Sequence, residues 1–528
     1  MNGGWSGRNK FILPTCRGHS ELILLWIGHK IKTMAQQNPF LSKSKYMHGR
    51  QCPKLLWYEY NRKAEVPQAG AMMQNVFDEG RKVGSLAHEL FPGGIIVERD
   101  RSPQTTSDRS LLALKERKPL FEAGFVYKNA YALADVLVPV EDDQWDLVEV
   151  KSSTSVKDDH LSDAAFQKYT YSGAGVKIRN CYIMYINKEY VKQGEIEPEK
   201  LFIRQDVTAE ANERIKDIET EIESLQKVIA QKEVPDIKVG PQCGYPDGCP
   251  LIPVCWDFLP DEEHIFILYA GGQHRYDLME RGVLKVTDIP ADYELDPRQT
   301  IQFKSHKSGK THIDKRKITG FLKTLKYPYY FLDFETIGTP IPIFDGTSPY
   351  QAVPFQYSLF IVETEGAEPK HYGYLAPGDV DPRIEILKQL KELLGTDGSI
   401  IAYSAPFEIG CLRRSADYFT EYQEWFTLLE NRFADLLLPF QKFFYYSPDQ
   451  AGRASLKSVL PAITHSSYDG LEIAQGGLAS SEYARVTFGQ NIDPAEKARV
   501  RHALELYCDQ DTRGMIEILA VLKSSVSK

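Results

Sequence analysis

Two segments of this chain place carboxylates on otherwise apolar strands, and few folds tolerate that. One is Ala134-Asp135-Val136 followed by Leu147-Val148-Glu149-Val150-Lys151; the other is Phe331-Leu332-Asp333-Phe334-Glu335-Thr336. An ionised carboxylate is costly to bury unless a cation or a proton neutralises it. Side chains alternate along a strand, so Asp333 and Glu335 share one face, as do Glu149 and Lys151. Residues 131–140 and 145–151 are β-rich runs joined by Glu141-Asp142-Asp143-Gln144, a hairpin signal. With the turn centred on Asp142 and Asp143, Asp135 lies across from Glu149 and Val150. Asp135 and Glu149 then meet around one divalent ion, with Lys151 beside it to orient a nucleophile or offset charge. A surface hairpin with an ordinary Glu–Lys pair is the plain alternative. Two such sites suggest two metal-dependent centres.

The chain has 528 residues, which predicts two or three domains. Residues 1–43 are read as a disordered extension, with Met34 as an alternative start and a signal peptide as the weaker alternative, since no small-residue cleavage site stands out. Residues 44–260 read as a first α/β domain, with helices over 75–90, 162–172 and 208–231 and a buried strand over 180–187. Residues 261–326 are a mostly helical connector. A second α/β domain spans 327–528, with strands over 329–334, 355–362 and 400–403 and helices over 383–394, 405–413 and 495–522. No apolar run reaches the length of a membrane span, so no membrane partner is expected and the expected location is cytoplasmic. The net charge of −9 argues against a generally basic surface. One local exception runs over 298–326, with nine Lys/Arg and a single acid, Asp314. It reads equally as a solvated linker or as an arm that contacts phosphates.

Of eight cysteines, Cys16, Cys181, Cys411 and Cys508 are scattered, whereas Cys243, Cys249 and Cys255 recur at intervals of six in a Gly/Pro-rich stretch and Cys52 lies far upstream. Without a secretion signal, metal ligation is more natural for these four than disulfides.

Further motifs surround the first acidic pair. Gly84-Ser85-Leu86-Ala87-His88 puts a histidine on an upstream helix, Gln167-Lys168-Tyr169-Thr170-Tyr171 puts Gln167 and Tyr171 on one helix face, and Cys52-Pro53-Lys54-Leu55-Leu56-Trp57-Tyr58 opens the domain. In that order these resemble the motifs of RecB-type nucleases of the PD-(D/E)XK superfamily, including its iron–sulfur members. The resemblance implies a restriction-endonuclease-like fold, Mg²⁺ or Mn²⁺ held by His88, Asp135 and Glu149, catalysis assisted by Lys151, Gln167 and Tyr171, and a [4Fe–4S] cluster on Cys52, Cys243, Cys249 and Cys255. The late cysteines depart from the commoner spacing, in which two lie only two residues apart, and zinc stays open for a four-thiolate set.

The second pair is followed by Ile401-Ala402-Tyr403-Ser404-Ala405-Pro406-Phe407-Glu408 and by Tyr507-Cys508-Asp509-Gln510-Asp511. This sequence of motifs resembles DnaQ-like (DEDD) exonucleases, which are RNase H-like. The resemblance implies two ions on Asp333, Glu335, Glu408 and Asp511, with Tyr507 orienting water. Glu408 stands where that family usually has Asp; Asp435 is the substitute candidate.

The whole layout resembles a bacterial family that fuses a RecB-like iron–sulfur nuclease to an uncharacterised RNase H-like domain. The expectation is a two-headed, metal-dependent nuclease that acts exonucleolytically on single-stranded ends of DNA. The alternatives are a nucleic-acid-binding or scaffold protein with a decayed C-terminal site and a structural cluster, or a small-molecule phosphohydrolase.

Overall fold

The structure is a computed structural model that describes residues 39–68, 70–246, 248–378 and 380–527. Met34, Cys16 and most of the expected extension lie outside the described residues. The protein is mixed α/β, built on two large sheets.

The first sheet has seven strands: β1 (Leu41–Ser42), β2 (Ile95–Ile96), β3 (Leu120–Tyr127), β4 (Ala130–Val140), β5 (Gln144–Lys151), β6 (Ile178–Ile186) and β7 (Phe202–Asp206). They run side by side from β2 to β7 in sequence order, with β1 parallel to the start of β4. The β4–β5 turn holds Asp142 and Asp143 at φ 56° and 57°, the left-handed geometry of a tight hairpin. It sets a register of Val136 opposite Val148. β5 and β1 share one edge of β4, β5 along Val136–Val140 and β1 at Ala130 and Tyr131. A notch is left between them, and Asp135 lies in it. Leu41 is fully buried against this sheet, so the end of the expected extension is part of the domain.

Helices α1 (Lys43–Gln51) and α2 (Pro53–Asn61) follow β1, and α3 (Ala71–Ala87) covers the far face. α4 (Asp158–Gly173) and α5 (Thr208–Ile229) pack on the near face, where Phe166, Ile218, Ile222 and Leu225 join Phe125, Leu147 and Ile183 in one core.

The second sheet has β9 (Tyr329–Ile337) at its centre. β10 (Val353–Val362) and β11 (Lys370–Leu375) lie on one side, antiparallel, and β12 (Ser399–Ala402) and β13 (Phe433–Asp435) on the other, parallel. Alternation along β9 divides the domain. Tyr330, Leu332 and Phe334 meet the helices over Arg383–Leu393 and Ala405–Tyr418. Tyr329 and Phe331 meet Met515, Ile518 and Leu522 of the long C-terminal helix Pro494–Ser527. Asp333 and Glu335 follow Phe331 on that second face.

The connector is not a free linker. Its β8 (His312–Ile313) pairs with β14 (Tyr445–Tyr446), and Ile318 and Leu325 are buried in the second domain's core. The two halves also touch directly. Lys192 pairs with Asp345 at 2.6 Å, the Tyr350 hydroxyl donates to the Ser152 carbonyl, and Ile341 packs beside Val136 and Val148. Among the described residues no helix is long and apolar enough to cross a membrane.

Candidate active sites

In the notch of the first sheet, Asp135 accepts the Val150 N–H at 2.7 Å and so takes the place of a ladder partner. Glu149, 2% exposed, has both oxygens engaged: Lys43 at 2.6 Å and Lys151 at 2.7 Å on Oε1, Gln167 at 2.6 Å on Oε2. Asp163 completes the group, accepting from Lys151 at 2.6 Å and Gln167 at 2.8 Å, with Lys43 at 3.3 Å. Tyr171 donates to Gln167 Oε1 at 2.9 Å and fixes which way that amide points. Burial and the Asp135 charge push the Glu149 carboxyl up, yet Lys151 and Lys43 hold it below its ordinary value. Burial would lower both lysines, but Asp163 and Glu149 hold them above theirs. The site is a closed ion-pair network in which the protein supplies its own cations.

His88 is not part of it. Its ring stacks on Phe121 at 3.9 Å, in the cluster that holds Val136 and Val148, and it hydrogen-bonds to neither Asp135 nor Glu149. The expected set of His88, Asp135 and Glu149 is therefore not assembled around a common point; Lys43 stands against Glu149 instead.

The second site has the opposite character. Asp333, Glu335 and Asp511 bring carboxylate oxygens within 4.8 Å of one another, the one such group of His, Cys, Asp or Glu among the described residues. Burial, followed by mutual repulsion, pushes Asp333 and Glu335 well above the usual carboxylate range, and burial raises Asp511. The surrounding donors are weak or neutral. Tyr468 donates to Asp511, and the Cys508 thiol lies 3.8 Å from Asp333. Lys457 donates to the Tyr507 hydroxyl at 2.6 Å and to the Ala474 carbonyl at 2.8 Å. It makes no ion pair within 4.0 Å of any of the three acids, so it borders the centre without filling it.

Glu408, in the first turn of its helix, is 2% exposed and its Oε2 has no hydrogen-bond partner. Burial and the Asp333 charge raise it well above its ordinary value. It faces the three acids from outside their tight group. Asp435 serves the backbone instead, accepting from the N–H groups of Ser404 and Leu437, both at 3.0 Å.

Cys52 and Cys249 are buried, Cys243 and Cys255 half-buried, and all four are free thiols. Cys52, Cys249 and Cys255 gather beside Leu55, Trp57 and Leu251, and the Cys243 carbonyl accepts the Cys249 N–H at 2.8 Å. Burial, and then the neighbouring Cys52, Cys243 and Cys255, push the Cys249 thiol up to about 11. Four thiols in one apolar recess fit a metal group. They do not close within 4.8 Å of one another as a set of three or more.

Residues 330–455 match a domain of unknown function, DUF2779. The match takes in Asp333, Glu335 and Glu408 and stops short of Tyr507 and Asp511. The chain is also similar to three uncharacterised proteins. One is the MG366 homolog of Mycoplasma pneumoniae, 26% identical over an alignment of 277 residues that covers 47% of this chain and 40% of that protein. The others are MG366 of Mycoplasma genitalium, 25% identical over 39% of this chain and 33% of its own length, and UU173 of Ureaplasma parvum, 23% identical over 43% and 35%. The matches thus span well under half of these relatives' lengths.

Four residues with roles in these sites escaped the sequence reading: Lys43, Asp163, Lys457 and Tyr468. Asp163 left a signal, since it precedes Gln167 and Tyr171 at intervals of four and shares their helix face.

Proposed function

We propose that the protein is a metal-dependent nuclease whose second domain hydrolyses phosphodiester bonds, with DNA as the favoured substrate. The observation that carries this reading is the convergence of Asp333, Glu335 and Asp511 with no protein cation among them. Three acids that repel one another in a buried site need either protons or metal ions. Asp333, Glu335 and Asp511 would hold Mg²⁺ or Mn²⁺, with the unpartnered Glu408 oxygen as a further donor. Such ions polarise a phosphoryl oxygen and stabilise the attacking and leaving oxygens. Tyr507, fixed by Lys457, holds its hydroxyl at the edge of this centre, where it can orient a water. The strand order β11-β10-β9-β12-β13 is compatible with an RNase H-like domain. For the first domain, the Asp135, Glu149, Lys151, Gln167 and Tyr171 constellation supports a PD-(D/E)XK reading, and the thiol recess supports a [4Fe–4S] cluster.

A second reading has its own observation. Lys43 and Lys151 neutralise Glu149 and Asp163, which suits a first domain that binds nucleic acid without cutting it. The experiment is cleavage of end-labelled single-stranded DNA by anaerobically purified full chain in Mn²⁺, with Asp333→Ala and Glu149→Ala made separately. Loss on Asp333→Ala alone favours a single catalytic head. Loss shared between the variants favours two. Cutting that survives the double variant defeats the proposal.

A further inference from the structure

Neither acidic centre uses the basic tract, and its disposition assigns it a task. Eight of the nine cations between residues 298 and 326 are exposed. Among the described residues only Lys317 of these nine has a carboxylate within 4.0 Å, namely Asp314 at 3.3 Å. The helix Pro297–Ser308 buries Gln299, Gln302, Ser305 and His306 and turns Lys304 and Lys307, one turn apart, to solvent. Lys310 extends the row past the helix end. The next helix, Lys315–Leu322, opens with Lys315, Arg316 and Lys317 in its first turn. Cations there oppose the helix dipole, which favours anions at that end. A fold that crowds Lys315, Arg316 and Lys317 at a positive helix end with Asp314 as their one acidic neighbour in the tract, in a chain of net charge −9, has a standing local demand for anions.

We propose that this surface binds the phosphate backbone of a nucleic-acid strand, apart from both acidic centres, and holds the polymer while its end is processed. The proposal extends the nuclease reading but does not need it: binding and cutting are separable. A polyanion with a regular charge repeat matches a cation run broken only by Asp314; a folded acidic protein presents mixed signs. The surface is also held rigidly to the catalytic sheet. The Lys326 N–H donates to Ser399 Oγ at 2.9 Å, and the Ser399 N–H to the Lys326 carbonyl at 2.8 Å. From Lys326 to Asp333 is at most about 23 Å along an extended strand.

The test is fluorescence anisotropy of a labelled single-stranded oligonucleotide with full-length protein in EDTA, where no hydrolysis occurs, across a salt series. Three backbone contacts contribute about 2 to the slope of log K against log salt. Lys307→Gln, Lys310→Gln and Arg316→Gln combined should lower the slope by about that amount and weaken binding at least about tenfold near 100 mM salt. The charge-keeping set, Lys307→Arg and Lys310→Arg, should bind as wild type. A control set on exposed lysines elsewhere, Lys115→Gln, Lys118→Gln and Lys388→Gln, should do the same. An unchanged slope overturns the proposal, as does an equal loss in the control set. Tighter binding to phosphatidylserine vesicles than to the oligonucleotide assigns the surface to membranes and also overturns it. If the slope behaves as expected while no cutting is found in Mn²⁺, the surface assignment stands and the nuclease reading falls.

Discussion

The two halves of the molecule solve one problem in opposite ways. Each puts two carboxylates near the middle of a mixed sheet. In the first, Lys43, Lys151 and Gln167 saturate Glu149, and the protein balances its own charge. In the second, Asp333, Glu335 and Asp511 crowd together, and the nearest lysine spends its hydrogen bonds on Tyr507 and a carbonyl. Acidic residues on a strand therefore do not by themselves define a metal site; what distinguishes the two is where the counter-charge comes from.

The strongest test of this contrast is catalytic. A metal clamp supplies several kcal/mol in the transition state, so Asp511→Asn should reduce Mn²⁺-dependent cutting by about a hundredfold or more. Wild-type rates from that variant would place the chemistry elsewhere. The next effect belongs to the first half. Lys43→Met leaves Glu149 and Asp163 short of a partner, which should cost roughly 2 kcal/mol, less than for a fully buried pair. The melting temperature should fall in EDTA and recover in Mn²⁺, as an outside ion replaces the lost ammonium. A variant as stable as wild type in EDTA would show that Lys43 is ornamental.

A smaller effect is expected at Tyr468. It orients Asp511 from behind, and Tyr468→Phe should weaken Mn²⁺ binding about tenfold by isothermal titration. Equal affinity would remove Tyr468 from the site. The smallest effect separates the halves by pH. Asp333 and Glu335 have raised values in the fold, so in EDTA the native state keeps protons that the unfolded chain gives up as pH rises past about 4. Their contribution to stability therefore drops on going from pH 5 to pH 8. Glu149 has a lowered value and acts the other way, losing its contribution as pH falls through that value. The second half's melting transition should fall by about 2–4 °C for each kcal/mol lost between pH 5 and 8, and Mn²⁺ should restore it most at pH 8. A transition that is flat with pH in EDTA would contradict the crowding of these acids.

Much of this geometry was legible in the sequence because it rests on local periodicity. The Asp142–Asp143 turn fixes the register that brings Asp135 to the strand of Glu149. Alternation puts Asp333 and Glu335 on one face, and a four-residue interval aligns Tyr507 with Asp511. Lys43 was hidden for a physical reason: it follows a strand of two residues, too short to show alternation, and reaches the site only through long-range pairing with β4. Lys457 and Tyr468 come from a short helix, Leu456–Ile463, that contains Pro461, and from the irregular segment after it, where no period marks a face. His88 failed in the other direction. Its place in an ordered motif suggested a ligand, but its flat ring found Phe121 first. The connector looked like a linker because its polar surface hides the few side chains, Ile318 and Leu325, that anchor it.

The helix Lys43–Gln51 carries an ammonium of the first acidic site at its start and runs directly into Cys52. At 1.5 Å per residue this strut spans about 14 Å, and it packs closely: a Cβ added at Gly49 would lie within 2.9 Å of the Leu225 and Leu56 methyls. A change made at Cys52 is therefore expected to be felt at Lys43, at the far end of the same helix. A cysteine variant is then not a neutral reference for the acidic site: its Glu149 and Asp163 would sit against a displaced ammonium.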